Sequence, residues 1–337
     1  MMYHIRNGLI LIFLISSTAF AGGRYAGASM ELGIGARPLS LGGAAVSLIG
    51  SAESFYYNPA SLAFIKRPVI SLMYAPSFGS ITSPLASYHF AGLAFPLPNG
   101  GTVAAGWTRF AVDEIPIFPK LRGDSYADRL NDTSQRPDGV ALGYFQDVED
   151  VFYFSFAKPI DLLLPLGWLF TELPVEIPFG LNLKLLRQKI YDAKASGLGI
   201  DAGTIVHFSL GQLFDHRSLG EVTVGLSALD VSQTNIVWNT KKEERIHRTV
   251  MWGVGYQQTM GFWDAKWTFY WTRYSKYEST DLFGTEFVIK GLSIRLGKNR
   301  TGLTAGTGLH LWRLRLDYAF VTLDLDNSHR LNCAITL

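Results

Sequence analysis

Residues 312–320 read Trp-Arg-Leu-Arg-Leu-Asp-Tyr-Ala-Phe, and that alternation constrains the fold more than any other feature of the chain. Successive side chains of a strand point to opposite faces. One face carries Trp312, Leu314, Leu316, Tyr318 and Phe320; the other carries Arg313, Arg315, Asp317 and Ala319. The pattern returns in Phe152, Phe154 and Phe156, and in Phe179, Leu181, Leu183 and Leu185 set against Gly180, Asn182 and Lys184. It returns again in Trp267, Phe269 and Trp271, in Leu292, Ile294 and Leu296, and in Leu331, Cys333, Ile335 and Leu337. Period-two alternation is a strand signal. The chain is 48% hydrophobic and only 17% charged, so many strands need an apolar covering at once. In lipid every backbone N–H and C=O has to be paired internally, which only helices and closed barrels achieve. The richest apolar windows are broken by Lys, Asp, Gly or Pro and do not read as membrane helices. The fold class is therefore read as all-β, a transmembrane antiparallel β-barrel.

The other end of the chain gives the compartment. His4 and Arg6 precede an apolar run from Leu9 to Ile15, then Ser16, Ser17, Thr18 and Ala19-Phe20-Ala21. That order is a secretory signal peptide, expected over residues 1–21. Its apolar run is too short to cross about 30 Å of hydrocarbon as a helix. Export and a barrel together point to the bacterial outer membrane. The single Cys333 cannot form an internal disulfide and reads as a small hydrophobe on an apolar face. A net charge of +2 implies no nucleic-acid partner.

Strands are expected near 68–78, 85–96, 101–112, 138–158, 176–189, 197–209, 221–230, 248–258, 264–274, 281–289, 291–297, 301–310, 312–320 and 331–337. A separate strand at 138–146 would make the total odd, whereas single-chain bacterial barrels normally have an even count. Either 138–158 is one strand bulged near Asp147 to Asp150, or 138–146 belongs to a loop. Both readings give about 14 strands, with both chain ends on the periplasmic side. Pro, Gly and Asn mark turns at 96–101, 259–261 and 290–291. Residues 113–137 and 231–247 are expected as extracellular loops. Residues 160–170 are apolar without alternation, which suits an interfacial turn or short helix, or else a landing surface for an apolar ligand. Trp107, Trp238, Trp252, Trp263 and Trp312 suit interface girdles.

The sequence holds no G-x-S-x-G, H-E-x-x-H or Walker motif and no Cys pair, and its seven His are scattered. No enzyme activity, metal or cofactor is expected. Strand phase turns Lys184, Asp201, Lys266, Glu286, Arg295, Arg313, Arg315 and Asp317 inward. Mixed charges in a lumen pair with one another. The functional alternative is that Arg313 and Arg315 recognise an anionic headgroup, since guanidinium suits carboxylate, although Asp317 competes for them.

Residues 22–66 do not alternate. They hold Gly33, Gly35, Gly42, Gly43 and Gly50, and then the turn-forming Asn58-Pro59. Such a segment either folds inside the barrel as a plug or trails as a periplasmic lead-in; its Leu, Tyr and Phe argue for burial. Gly35-Ala36-Arg37-Pro38-Leu39-Ser40-Leu41-Gly42-Gly43-Ala44 and Tyr56-Tyr57-Asn58-Pro59-Ala60-Ser61-Leu62 resemble the opening of PorV/PorQ-type proteins of the FadL-like outer-membrane superfamily. Ile294-Arg295-Leu296-Gly297, Gly302 to Leu309, Leu316-Asp317-Tyr318-Ala319-Phe320 and Ser328-His329-Arg330 extend the similarity. The resemblance implies a fourteen-stranded barrel over 67–337 with an N-terminal hatch, 22–66, inside the lumen. It departs at Leu337, where many barrels end in the Phe or Trp that the assembly machinery reads. Two functions are implied. One is passive transport of hydrophobic small molecules, with hatch movement at Asn58, Pro59 and Ala60. The other is a component of a type IX protein secretion system, a receptor or shuttle for exported proteins. The implied partners are outer-membrane lipid, the barrel assembly machinery, and either hydrophobic small molecules or secretion-system proteins.

Overall fold

The computed structural model describes residues 26–80, 82–118, 125, 141–166, 171–216, 218–261, 263–324 and 326–337. Its first strands are β1 (Val69–Ser80), β2 (Ser83–Pro96), β3 (Thr102–Ile117), β4 (Gly143–Lys158), β5 (Asp161–Leu166) and β6 (Thr171–Glu176). Then come β7 (Phe179–Ile190), β8 (Ala193–Ser209), β9 (Glu221–Leu229), β10 (Thr234–Trp238), β11 (Glu243–Ile246) and β12 (Thr249–Thr259). The chain finishes with β13 (Lys266–Ser275), β14 (Ser279–Ile289), β15 (Leu292–Lys298), β16 (Leu303–Leu311), β17 (Leu314–Val321) and β18 (Ser328–Thr336). Among the described residues these form one sheet of 18 strands. Fourteen of them, β1–β4, β7–β9 and β12–β18, close an antiparallel barrel; the closing ladder runs from Val69↔Thr336 to Tyr74↔Leu331. The hairpin β5–β6 extends the sheet at the end where Leu337 and Pro68 meet, called here the terminal end. The hairpin β10–β11 rises at the far end, with β10 paired to the start of β8.

Alternation sorts the faces. On β7, Leu181 and Leu183 point outward and stay 48% and 41% exposed, while Gly180, Asn182, Lys184 and Leu186 are buried. β4 divides the same way: Phe154 and Phe156 are exposed, Tyr153 and Ser155 buried. Closure leaves the fourteen wall strands without a free lateral edge, so the wall pairs its own backbone. No helix among the described residues is long and apolar enough to cross a membrane. A continuous belt of outward Leu, Ile and Phe is stable only against hydrocarbon, and the belt is that of a transmembrane barrel.

The belt ends toward the far end in a repeated device. Trp107 Nε1 and Arg109 Nε each donate to Asp150 Oδ1 at 2.8 Å. Trp271 Nε1 and Arg273 Nε donate to Asp281 Oδ1 at 3.2 and 2.9 Å. Each indole keeps its ring on the apolar side and its N–H on the charged side, as an interfacial residue should. Placing a charge below that edge is a direct check. Leu316→Arg should cost about 2–4 kcal/mol near the midplane, whereas Leu316→Met should be close to neutral. The readout is the fraction of heat-modifiable, folded barrel; equal assembly of the two variants would mean that Leu316 does not face lipid. Ala319, on the opposite face, is fully buried against Ala36 and Leu39, so an Arg there would be costly for a different reason.

Several expectations are corrected. β4 runs unbroken from Gly143; the bulge lies on its neighbour, where the β3–β4 register shifts between Val112 and Ile115 and Glu114 has φ 54°. One extra β3 residue is absorbed there, which bends that strand instead of β4. Residues 312 and 313 are a tight turn and not strand, with Trp312 at φ 54°. Residues 161–166 form half of the β5–β6 hairpin and not a helix or turn, with Leu163 65% exposed; 167–170 lie outside the described residues. The expected loop 231–247 contains the β10–β11 hairpin, while most of 113–137 lies outside the described residues. Trp238 belongs to that hairpin and not to a girdle, and Lys266 is exposed at the rim of β13.

Residues 26–65 fill the lumen. They comprise the 3-10 turns Ala28–Leu32, Ala52–Tyr56 and Pro59–Phe64 and the short helix Ala36–Ser40. Ile34, Leu41, Val46, Leu48 and Leu62 are wholly buried. The segment meets inward residues all around the wall: Ser71 on β1, Glu149 on β4, Asn182 on β7, Glu286 on β14 and Thr304 on β16. Glycines at inward positions allow this approach. A Cβ on Gly180 would strike the Pro59 backbone, and one on its cross-strand partner Gly203 would strike the Asn58 side chain.

Candidate functional site: the lumenal segment and its cavity

Asn58, Pro59 and Ala60 lie together and wholly buried where the segment touches β7 and β8. Asn58 caps the turn behind it: its Oδ1 accepts from Ala60 N at 3.1 Å, and Pro59 occupies the first turn position, where a missing N–H costs nothing. Its Nδ2 donates to Val46 O at 2.9 Å and to Thr204 O on β8 at 3.1 Å. One side chain thus fixes the turn, ties it to an earlier part of the segment, and ties both to the wall.

A second attachment is electrostatic. Arg37 donates to Glu286 at 2.6 Å, and Glu286 accepts from Arg295 at 2.6 Å. Arg295 meets Asp317 at 2.8 Å, Asp317 meets Arg315 at 2.7 Å, and Arg315 reaches Glu53 at 3.3 Å. The chain alternates in sign, is neutral in sum, and begins and ends on the segment. Glu53 also accepts from the Ser51 and Ser71 hydroxyls and from Asn332. Burial alone would raise its carboxyl; Arg315 and the two hydroxyls overcome that and hold it below the ordinary glutamate range. Arg315 is therefore committed to Asp317 and Glu53. Arg313 is not brought to this site: it is exposed in the terminal-end turn, its guanidinium 4.8 Å from the Trp312 ring centre.

Between the segment and the wall lies a cavity of about 200 Å³. Met30, Leu32 and Leu39 line it from the segment, and Leu229, Met251 and Leu282 from the wall. Its polar floor is Lys184, whose Nζ lies 2.7 Å from both Asp201 and Asp230. Lys276 and Thr301, from far-end turns, belong to its lining, so it opens toward that end; Lys276 is paired there with Glu31 at 2.6 Å. Most of these residues were not singled out from the sequence. The available signals were the three charges, Glu31, Arg37 and Glu53, in an otherwise uncharged segment, and the glycines at inward strand phase.

No family model and no curated protein matches the chain. Among solved structures it is similar to the outer-membrane protein Omp33 of Acinetobacter baumannii, at 9% identity, over 80% of this chain and 98% of that one, with a TM-score of 0.42. It is similar to a TodX monoaromatic hydrocarbon channel mutant at 9% identity, over 90% and 97% of the two chains, with a TM-score of 0.38. CdiB of Acinetobacter baumannii aligns at 8% identity, over 81% of this chain and 60% of that one, with a TM-score of 0.41.

Proposed function

We propose that the protein is an outer-membrane passive transporter of hydrophobic small molecules, with residues 22–66 as its hatch. The observation that carries this reading is the apolar cavity between segment and wall, open at the far end. An apolar solute gains nothing from a wet pore but gains on entering such a pocket. Apolar cavities of about 150 Å³ accept a molecule the size of benzene. The volume here suits a single aromatic ring or a short alkyl chain. Onward passage needs the segment to shift, because its backbone fills the lumen below. The receptor role in protein secretion draws on the sequence resemblance alone.

Toluene binding to the purified barrel tests the reading. Leu282→Trp, which fills the cavity from the wall, should weaken toluene at least about tenfold, or about 1.4 kcal/mol. Undiminished binding in that variant would remove the cavity as the site.

A further inference from the structure

Among the described residues, every other buried or half-buried cation that the lumen encloses has a carboxylate. Arg37, Arg295 and Arg315 share the alternating chain, Lys184 has Asp201 and Asp230, and Lys276 has Glu31. Arg330, on the inward face of β18, is the exception among the described residues. It is 0% exposed, and its Nε, Nη1 and Nη2 have no hydrogen-bond partner. Its guanidinium lies 5.5 Å from the centre of the Tyr88 ring. A ring face attracts a cation but satisfies none of its N–H donors. The nearest segment phenols are committed elsewhere, Tyr57 to Ile34 O and Tyr56 to Met30 O. Guanidinium cannot shed its proton to escape, and a buried charge left without a counter-charge is strongly disfavoured.

The position has a second peculiarity. Arg330 stands one residue beyond the last pair of the closing ladder, Tyr74↔Leu331, where Pro76 has no N–H to carry pairing further. Tyr56 and Tyr57, close enough to Arg330 to interact electrostatically, also line the apolar cavity. The guanidinium therefore sits between the cavity wall and the end of the closing ladder.

We propose that Arg330 binds one monovalent anionic group, a halide or a carboxylate, inside the barrel beside the β1–β18 seam. The fork of donors fits a carboxylate through two N–H groups and a halide through the same pair. The site does not depend on what the cavity carries, so it stands or falls separately from the transport reading.

The test uses the full barrel in neutral detergent, with ionic strength held by sodium Hepes, whose sulfonate is too bulky for an enclosed site. Sodium bromide and sodium dodecanoate are titrated separately, and the midpoint of heat-induced loss of the folded band is followed. A midpoint that climbs with bromide identifies a free inorganic anion. One that climbs with dodecanoate alone identifies the carboxylate of an amphiphile. Either response should vanish in Arg330→Met. No response to both, or an equal response in the variant, overturns the proposal. Should Arg330→Met fail to assemble, crystals of the unaltered protein decide: an anomalous bromide peak or carboxylate density against Arg330 supports it, and neither sinks it.

Discussion

Gly180→Val is expected to unseat the lumenal segment and make the barrel leak, while leaving the wall intact. Gly180 and Gly203 are paired across β7 and β8, and together they form the seat for Asn58 and Pro59. A side chain at 180 meets the Pro59 backbone, which cannot rotate away as a flexible side chain would. Overpacking of this kind costs about 1–3 kcal/mol when the surroundings can yield. Here yielding means losing the capped turn and the Asn58 bond to Thr204. The strand itself tolerates valine, a β-branched residue suited to extended backbone. Small-solute swelling of proteoliposomes should therefore rise, and protease should reach residues 26–65, while heat-modifiability persists. Deletion of 24–64 is the upper reference. A deletion that leaks beside a Gly180→Val barrel that stays tight would move the seat elsewhere. Two tight barrels would mean that the segment does not plug the lumen.

How far the sequence reveals this architecture depends on contrast between faces. β7 and β17 are readable because Leu and Phe alternate with Gly, Asn, Lys, Arg and Asp, and in a membrane barrel both faces are under opposite demands. The β5–β6 hairpin is not readable, because Leu162, Leu163 and Leu164 are apolar on both sides and carry no phase. The β3 bulge leaves no compositional mark: Asp113 and Glu114 look like the start of a loop and Asp147 to Asp150 like a break, yet backbone pairing puts the extra residue on the first strand. Arg313 takes its apparent phase from an alternation that continues, by chance of composition, into a two-residue turn. The lumenal segment is hardest of all. Its partners are single inward residues on many strands, such as Asn182, Glu286 and Thr304, and contacts so distant in sequence leave no local period.

The largest stability loss should come from Arg295→Met. Arg295 is 2% exposed and joins Glu286 to Asp317, the two inner carboxylates of the alternating chain. Its removal leaves three carboxylates against two guanidinium groups in a buried lumen. Breaking a buried pair by deleting one partner costs about 3–5 kcal/mol, largely because the remaining charge is uncompensated. The urea midpoint for unfolding from liposomes should fall accordingly. Two double variants separate local pairing from net charge. Adding Asp317→Asn leaves Arg37 with Glu286 and Arg315 with Glu53, two neutral pairs, and should recover part of the loss. Adding Glu286→Gln instead restores the same net charge but strips Arg37 of the carboxylate it pairs with and leaves Arg315 with both Asp317 and Glu53. That variant should recover less, and it should also loosen the segment, because the Arg37 tie to β14 is gone. Equal recovery in the two doubles would mean that the lumen responds to total charge and not to this chain of contacts. An unchanged midpoint in Arg295→Met itself would show that the segment is held by its packing against the wall glycines, with the charges along for the ride.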